Sequence, residues 1–370
     1  MFINAMGLIL ADHRKINLGD LSRPRALAAI PFGGRYRIID FMLSNMVNSG
    51  ISQIGVIALS KYKSLMDHVG TGSSWDLDRK QPGLNLLPPY INTANVDRGG
   101  EADDLNGLLD FFRAYPHKYV IVADSNVIFN ATFDEFVSKH EESGADISVM
   151  YNRDSTRYGS PSMILNLDRR GYLRDMMMDP PKPSATRCSL GIAVLDRELL
   201  IDLVSESIAR GDRDFSIDGL MKLYKQYRVR GIEYKGKVLR INSIPTYFAS
   251  TMQLLDDAFR NELFGSDLPV YTKVKDEAPT LYGEGNTVSN SVISDGCLIT
   301  GEVTDSMLFR GVTISKHAIV RSCIIMQDVF VSEGVELENV ILDKNCVIRP
   351  GIKLVGQQDY PVVIGKGAIV

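Results

Sequence analysis

The chain has 370 residues, 45% of them hydrophobic and 23% charged, with a net charge of -4. A chain of this make-up can bury a large core and is long enough for two domains. The acidic balance, with a pI near 5.8, leaves no electrostatic footprint for nucleic acid. No apolar run reaches the ~18 residues of a membrane helix, and the N-terminus lacks the charged region, apolar core and cleavage site of a signal peptide. These features predict a cytoplasmic protein with neither nucleic-acid nor membrane partners.

Residues 1 to about 255 alternate strand and helix signals. Strands are expected at Phe2–Leu10, Gln53–Ser60, Tyr119–Ala123, Asp146–Tyr151 and Leu190–Leu195. Helices are expected at Ile38–Asn48, Asp104–Ala114, Thr132–Glu142, Arg197–Ile208, Ile217–Tyr227 and Tyr247–Leu263, with Asp196 and Asp214 as N-caps for two of them. Alternation of this kind predicts a mostly parallel sheet covered by helices, an α/β, Rossmann-like domain whose ligands bind beyond the carboxyl ends of the strands. Residues 256–280 read as a connector.

From residue 281 to 370 helical periodicity disappears. Apolar residues return every six positions, at Val312, Ala318 and Ile324, then after a one-residue slip at Val329, Val335, Ile341 and Val347. A second track follows two residues later, at Ile314, Val320 and Met326, then Val331 and Leu337. A six-residue period predicts a parallel β-helix of hexapeptide repeats, in which each short strand supplies part of one face and inward residues stack along the axis.

The chemistry-bearing residues are sparse. The cysteines, Cys188, Cys297, Cys323 and Cys346, form no CxxC pair and read as buried reduced thiols. The histidines show no paired ligand spacing. His317 in the solenoid reads as an ordinary turn residue, and Trp75 as structural. The first strand runs into the loop "DHRKINL", Asp12 to Leu18, where many nucleotide-handling proteins carry a glycine-rich phosphate loop; this loop holds no glycine.

An α/β nucleotidyltransferase domain followed by a hexapeptide β-helix suggests sugar-nucleotide pyrophosphorylases. The stretches "IPFGGRYRIIDFMLSNMVNSGISQIGVIALSKYKSLMDHV", "SSWDLDR" at 73–79 and "FRGVTISKHAIVRSCIIMQ" at 309–327 strongly resemble the ADP-glucose pyrophosphorylase (glucose-1-phosphate adenylyltransferase) family. The likeness covers essentially the whole chain and is greatest to the divergent glycogen-biosynthesis subunits of the GlgD type. It implies a left-handed β-helix after the nucleotidyltransferase domain. It also implies subunits that assemble as tetramers through contacts that include the β-helix.

Set against the family pattern, the chain departs where charge is handled. Catalytic members carry a loop resembling GGxGxRLxxLT, whose glycines let backbone N–H groups approach phosphate oxygens. Here Asp12 and His13 stand at glycine positions and Asn17 at the arginine position. The family's RAKPA is Arg25 to Ala29 here, so Leu27 replaces a cation. Mg²⁺ prefers carboxylate oxygens. Matching the apolar positions puts Ser125 at one of the family's metal-binding aspartates, a shift of one residue puts Asp124 there, and Ser243 stands at the other. The motif carrying the sugar-phosphate lysine becomes Met176 to Pro180, with Lys182 further on, while Ser189, Gly191 and Asp214 match positions around the sugar. The "GTADA" segment becomes Gly100 to Asp104, with an added carboxylate.

Together these departures predict a subunit that is inactive or nearly so alone, has no catalytic residue of its own, and requires no cofactor, with Mg²⁺ relevant only to residual activity. Its expected partner is a catalytic ADP-glucose pyrophosphorylase subunit in a heterotetramer. Arg25, Arg35 and Arg37 flank Pro31-Phe32-Gly33-Gly34, where the resemblance implies binding of a phosphorylated effector; the planar arginine fork suits phosphate. Two other expectations stand beside this one: an active transferase with a rebuilt site using Asp124 and Lys182, and a free-standing sensor of sugar phosphates or nucleotides.

Overall fold

The computed structural model describes residues 3–12, 16–58, 61–79, 83–87, 103–153, 163–178, 187–210, 217–265 and 267–370. It divides into two compact units: residues 1–13 with 41–238, and residues 14–40 with 239–370.

The first unit is built on a nine-stranded sheet. Ala5–Leu10 pairs in parallel with Ile54–Ile57 on one side and Tyr119–Asp124 on the other, and Ile54–Ile57 carries Leu84–Leu87 at the edge. Ala5–Leu10 and Tyr119–Asp124 are fully buried runs without alternation, as strands covered on both faces must be. Cys188–Asp196 reverses direction, antiparallel to Tyr119–Asp124 and to Ile147–Asn152. Val229–Glu233 joins Ile147–Asn152 in parallel, while Met163–Leu167 and Leu173–Met178 form an antiparallel edge. The sheet is therefore mixed rather than uniformly parallel. Helices Asp103–Arg113, Asp134–Ser143, Arg197–Arg210 and Ile217–Lys222 belong to the same unit. The expected helix to Tyr227 ends at Lys222 and tightens into a 3₁₀ turn, Leu223–Lys225.

One buried polar contact in this unit gives the fold a pH response. His140 is 3% exposed. Its Nδ1 lies 2.8 Å from Ser148 Oγ, and its ring meets Tyr119 edge-on at 5.3 Å between centroids. Burial lowers its pKa, with Lys118 adding to that, against the opposing charges of Asp196, Glu141 and Asp146. The unfolded chain thus binds a proton at a pH where the folded chain does not. Stability is full above about 6.5, the unfolded value, and falls as pH drops below it. Thermal melts of the native chain should lose midpoint from pH 7 to pH 5 more steeply than those of His140→Gln; equal slopes would remove His140 from the account.

In the second unit, residues 281–364 form three five-stranded parallel sheets, the triangular prism of a left-handed β-helix. The first sheet stacks Leu281–Tyr282, Leu298–Ile299, Thr313–Ile314, Phe330–Val331 and Val347–Ile348; the second runs from Thr287–Ser289 to Lys353–Val355, and the third from Val292–Ile293 to Val362–Ile364. The interior column includes Val312, Ile314, Ala318, Val320, Val329, Val331, Val335 and Leu337, as the six-residue tracks predict. The tracks fail at four places, Ile324, Met326, Ile341 and Val347; Met326 is buried but lies outside the interior column. Ile325, Leu342 and Ile348 occupy the interior, so Ile324, Ile341 and Val347 point outward. Turns of the solenoid differ in length, and a fixed six-residue step drifts out of register. Corners are turned by residues at positive φ, among them Asp328, Asn345 and His317 (φ 59). His317 is exposed, 3.9 Å from Glu333, and serves a turn.

The connector expected at 256–280 contains a helix, Asp257–Phe264, and the expected single helix Tyr247–Leu263 is two, Ile244–Met252 and Asp257–Phe264. Asp256 makes the break by accepting the Phe259 N–H as an N-cap (2.8 Å).

Candidate functional site

In the first unit, Asp124 closes the strand Tyr119–Asp124 opposite Leu10. Its carboxylate, 8% exposed, lies directly over Gly191: a Cβ there would fall 2.3 Å from Asp124 Oδ2. Gly191 also has φ +64 and sits where the strand Cys188–Asp196 slips register. Only glycine meets both demands. The Gly191 N–H donates to Ser189 Oγ at 3.2 Å. Asp124, Ser189 and Gly191 are thus one cluster at a strand end, where α/β sheets place ligands.

Ser125 is committed elsewhere. It is 1% exposed. Its N–H donates to the Leu10 carbonyl at 3.2 Å, and its hydroxyl reaches the Ala11 carbonyl at 3.4 Å. These bonds tie the strand end to the start of the glycine-less loop. Asp12 is half-buried; His13 lies outside the described residues, as do Lys182, Asp214 and residues 100–102. The methionines of the altered sugar-phosphate motif lie on Leu173–Met178, an edge strand with Met177 and Met178 exposed.

In the second unit, Asn17 folds its side chain onto its own loop. Its Oδ1 accepts from the Gly19 N–H at 2.9 Å and from Ser22 Oγ at 3.2 Å. This turn is held by a neutral amide acceptor where the resemblance implies a cation. Leu27, 4% exposed, lies in the 3₁₀ turn Leu27–Ala29. Ser243 is the N-cap of helix Ile244–Met252: it accepts the Thr246 N–H at 3.3 Å, and its own N–H donates to Thr246 Oγ1 at 2.9 Å, a reciprocal capping box. Serine followed by Pro245 at the helix start is an N-terminus signal visible in the sequence. Reading Ser243 only as a metal position missed it.

Tested as a Mg²⁺ site, the residues at these positions supply one carboxylate, Asp124, and two hydroxyls already bonded to backbone. Mg²⁺ wants near-octahedral oxygen ligation with carboxylates, and this set does not fit it. Among the described residues, no group of three or more His, Cys, Asp or Glu could hold a metal ion. No described helix is long and apolar enough to cross a membrane.

The three arginines have different surroundings. Arg25 is 3% exposed and forms a two-pronged ion pair with Asp343 (0% exposed), Nη1 to Oδ1 and Nη2 to Oδ2, both 2.9 Å. Asp343 Oδ1 also accepts the Lys344 N–H at 2.7 Å. Arg37 donates its backbone N–H to Asp40 (3.0 Å). Burial, and then the charges of Arg37 and Arg25, push the Lys344 ammonium down to about 7 despite Asp343; Lys275 adds to the repulsion. Lys344 was not singled out in the sequence, because nothing local marks a lysine brought to this cluster by the solenoid. Arg35 is exposed, over the Tyr36 ring at 6.0 Å, and its charge contributes to lowering the pKa of Arg310, chiefly depressed by burial.

Comparison with known proteins finds two family matches along the chain. Residues 6–232 match the nucleotidyl transferase family, and residues 278–360 match the GlmU-like C-terminal hexapeptide family. The chain is 33% identical to the glycogen biosynthesis protein GlgD of Bacillus subtilis (strain 168), covering 100% of this chain and 98% of the relative. It is 35% identical to GlgD of Geobacillus stearothermophilus over 98% of this chain and 96% of that one. It is also 32% identical to a glucose-1-phosphate adenylyltransferase of Fervidobacterium nodosum, over 95% and 85% respectively. With a nucleotidyl transferase match over more than half its length and full-length identity of this order, the chain belongs to the ADP-glucose pyrophosphorylase family and resembles its GlgD type.

Proposed function

We propose that the chain is a non-catalytic, or nearly inactive, regulatory subunit serving ADP-glucose formation from ATP and glucose 1-phosphate in glycogen synthesis, with the catalytic groups supplied by a partner subunit. The observation that carries this reading is the fate of two hydroxyls, that of Ser243 at one of the family's metal positions and that of Ser125 at or beside the other, where Asp124 is the alternative. Ser243 caps a helix and Ser125 ties two backbone segments together, so both positions serve the scaffold. The self-closed Asn17 turn and the buried Leu27 agree. Phosphoryl-transfer chemistry depends on metal and cations around the transferred group, and the frame is kept without them.

Regulation enters through charge. Both terminal nitrogens of Arg25 are used by Asp343, so Arg25 acts as a brace. Burial first, and then the charges of Arg37, Arg25 and Lys275, disfavour the Lys344 ammonium, and a phosphorylated effector bound beside it would favour the charged form. The test is to mix the chain with a catalytic glucose-1-phosphate adenylyltransferase subunit from the same cell. Chromatography with light scattering should show a complex, two copies of each chain. Initial rates should show a change in the partner's turnover or effector response, about 5- to 150-fold in affinity for typical coupling. Separate elution at micromolar concentration with unchanged kinetics would favour the free-standing sensor instead.

A further inference from the structure

The corner between the third and first sheets of the solenoid carries a column of side chains from successive turns. Asp295, Arg310, Gln327, Lys344 and Lys366 follow one another in register. Lys344 is the member of this column set among like charges. Arg25 lies just ahead of the turn Leu27–Ala29, Arg37 closes the strand Tyr36–Arg37, and Lys275 comes from the connector. All three repel the Lys344 ammonium. Lys366, one turn on, is exposed.

The facing carboxylate, Asp343, is already engaged. Its Oδ1 accepts from Arg25 Nη1 at 2.9 Å and from the Lys344 N–H at 2.7 Å, and its Oδ2 accepts from Arg25 Nη2 at 2.9 Å. Among the described residues, the half-buried Lys344 ammonium forms no ion pair of its own. Two other titratable groups face Asp343 and stay protonated. The Tyr247 hydroxyl donates to the Pro31 carbonyl at 2.8 Å and the Cys346 thiol to the Gly365 carbonyl at 3.1 Å; burial raises the pKa of each. The corner is therefore short of one negative charge, and the group able to respond to it is the Lys344 amine.

We propose that a dianion of the phosphate class binds at this corner together with one proton, which the Lys344 amine takes up. The inference rests on the effector reading above and adds its regulation: binding is coupled to pH. In the free chain the Lys344 pKa is about 7, so near neutrality the side chain divides between amine and ammonium. An anion beside it favours the ammonium. A ligand that prefers the protonated form binds more tightly as pH falls, and its binding draws a proton from solution. No other bond changes. An arginine at this position would stay charged and bind anions without regard to pH; lysine makes the effector response weaken as pH rises above about 7.

Calorimetric titration of the full chain with sulfate tests this. Sulfate stays a dianion between pH 6 and pH 8, so any proton taken up goes to the protein. Repeating the titration in two buffers of different ionisation enthalpy counts those protons. The native chain should take up about 0.9 proton per sulfate at pH 8 and about 0.1 at pH 6, the unprotonated fractions of an amine titrating near 7. Its affinity should fall about tenfold between those pH values. Lys344→Arg should bind sulfate equally at both and take up no proton. Lys344→Met keeps the Arg25–Asp343 pair and should also take up none. Equal proton uptake by the native chain at pH 6 and pH 8 overturns the proposal. So does native-like uptake by either variant, and so does failure of the native chain to bind sulfate at either pH. None of these results decides the regulatory reading, which the mixing experiment tests with the partner present.

Discussion

Replacing Arg25 with alanine should cost the second unit about 3–5 kcal/mol, the usual effect of removing one partner of a buried ion pair. The pair is buried on both sides, with Arg25 3% and Asp343 0% exposed, and two bonds of 2.9 Å. Without Arg25, Asp343 keeps the 2.7 Å bond from the Lys344 N–H and the Lys344 ammonium, which burial and the charges of Arg37 and Lys275 still disfavour. A buried carboxylate left in that state is stranded, and the segment 14–40 loses its tie to the solenoid across 318 positions of sequence. Urea unfolding should show the lost midpoint. The double variant Arg25→Met with Asp343→Leu separates charge from packing. It removes both charges and should recover most of the loss, because buried pairs contribute little net stability against apolar replacements. If Arg25→Ala unfolds like the native chain, the pair does not hold the segment in place.

That pair also shows where sequence reading stops. The fold was legible because its signals are local or periodic: fully apolar runs gave Ala5–Leu10 and Tyr119–Asp124, and a six-residue repeat marked the solenoid. The repeat misassigned Ile324 and Ile341 because register in a stacked helix depends on the length of each turn. The edge strands Met163–Leu167 and Leu173–Met178 went unseen, since partly exposed strands carry weak alternation. Within the site, the missing charges were visible as residue types. What replaced them was not: the capping box of Ser243 and the bonds of Ser125 to Leu10 and Ala11 are roles that only the folded backbone reveals. Arg25 looked like a phosphate ligand because Asp343 is brought to it by tertiary structure alone.

The second large effect concerns catalysis. Removing one preorganised charge-stabilising group typically lowers a rate by 10²–10³-fold, about 2.7–4 kcal/mol. This chain departs from the family pattern at several such positions: Asn17 and Leu27 stand where the resemblance implies cations, and Ser243 where it implies a carboxylate. The effects need not add, so the expected deficit is a lower bound, at least ~10³-fold relative to a catalytic member. Restoring Ser243→Asp alone should not recover turnover, since the Asn17 turn and Leu27 would remain. The most direct measurement is ADP-glucose formation from ATP and glucose 1-phosphate, with Mg²⁺, by the purified chain with no partner present. A rate at least ~10³-fold below a catalytic relative assayed beside it is the predicted result. A rate within about tenfold of that relative, a difference of only ~1.4 kcal/mol in barrier, would contradict the central claim and make the chain an active transferase with a rebuilt site.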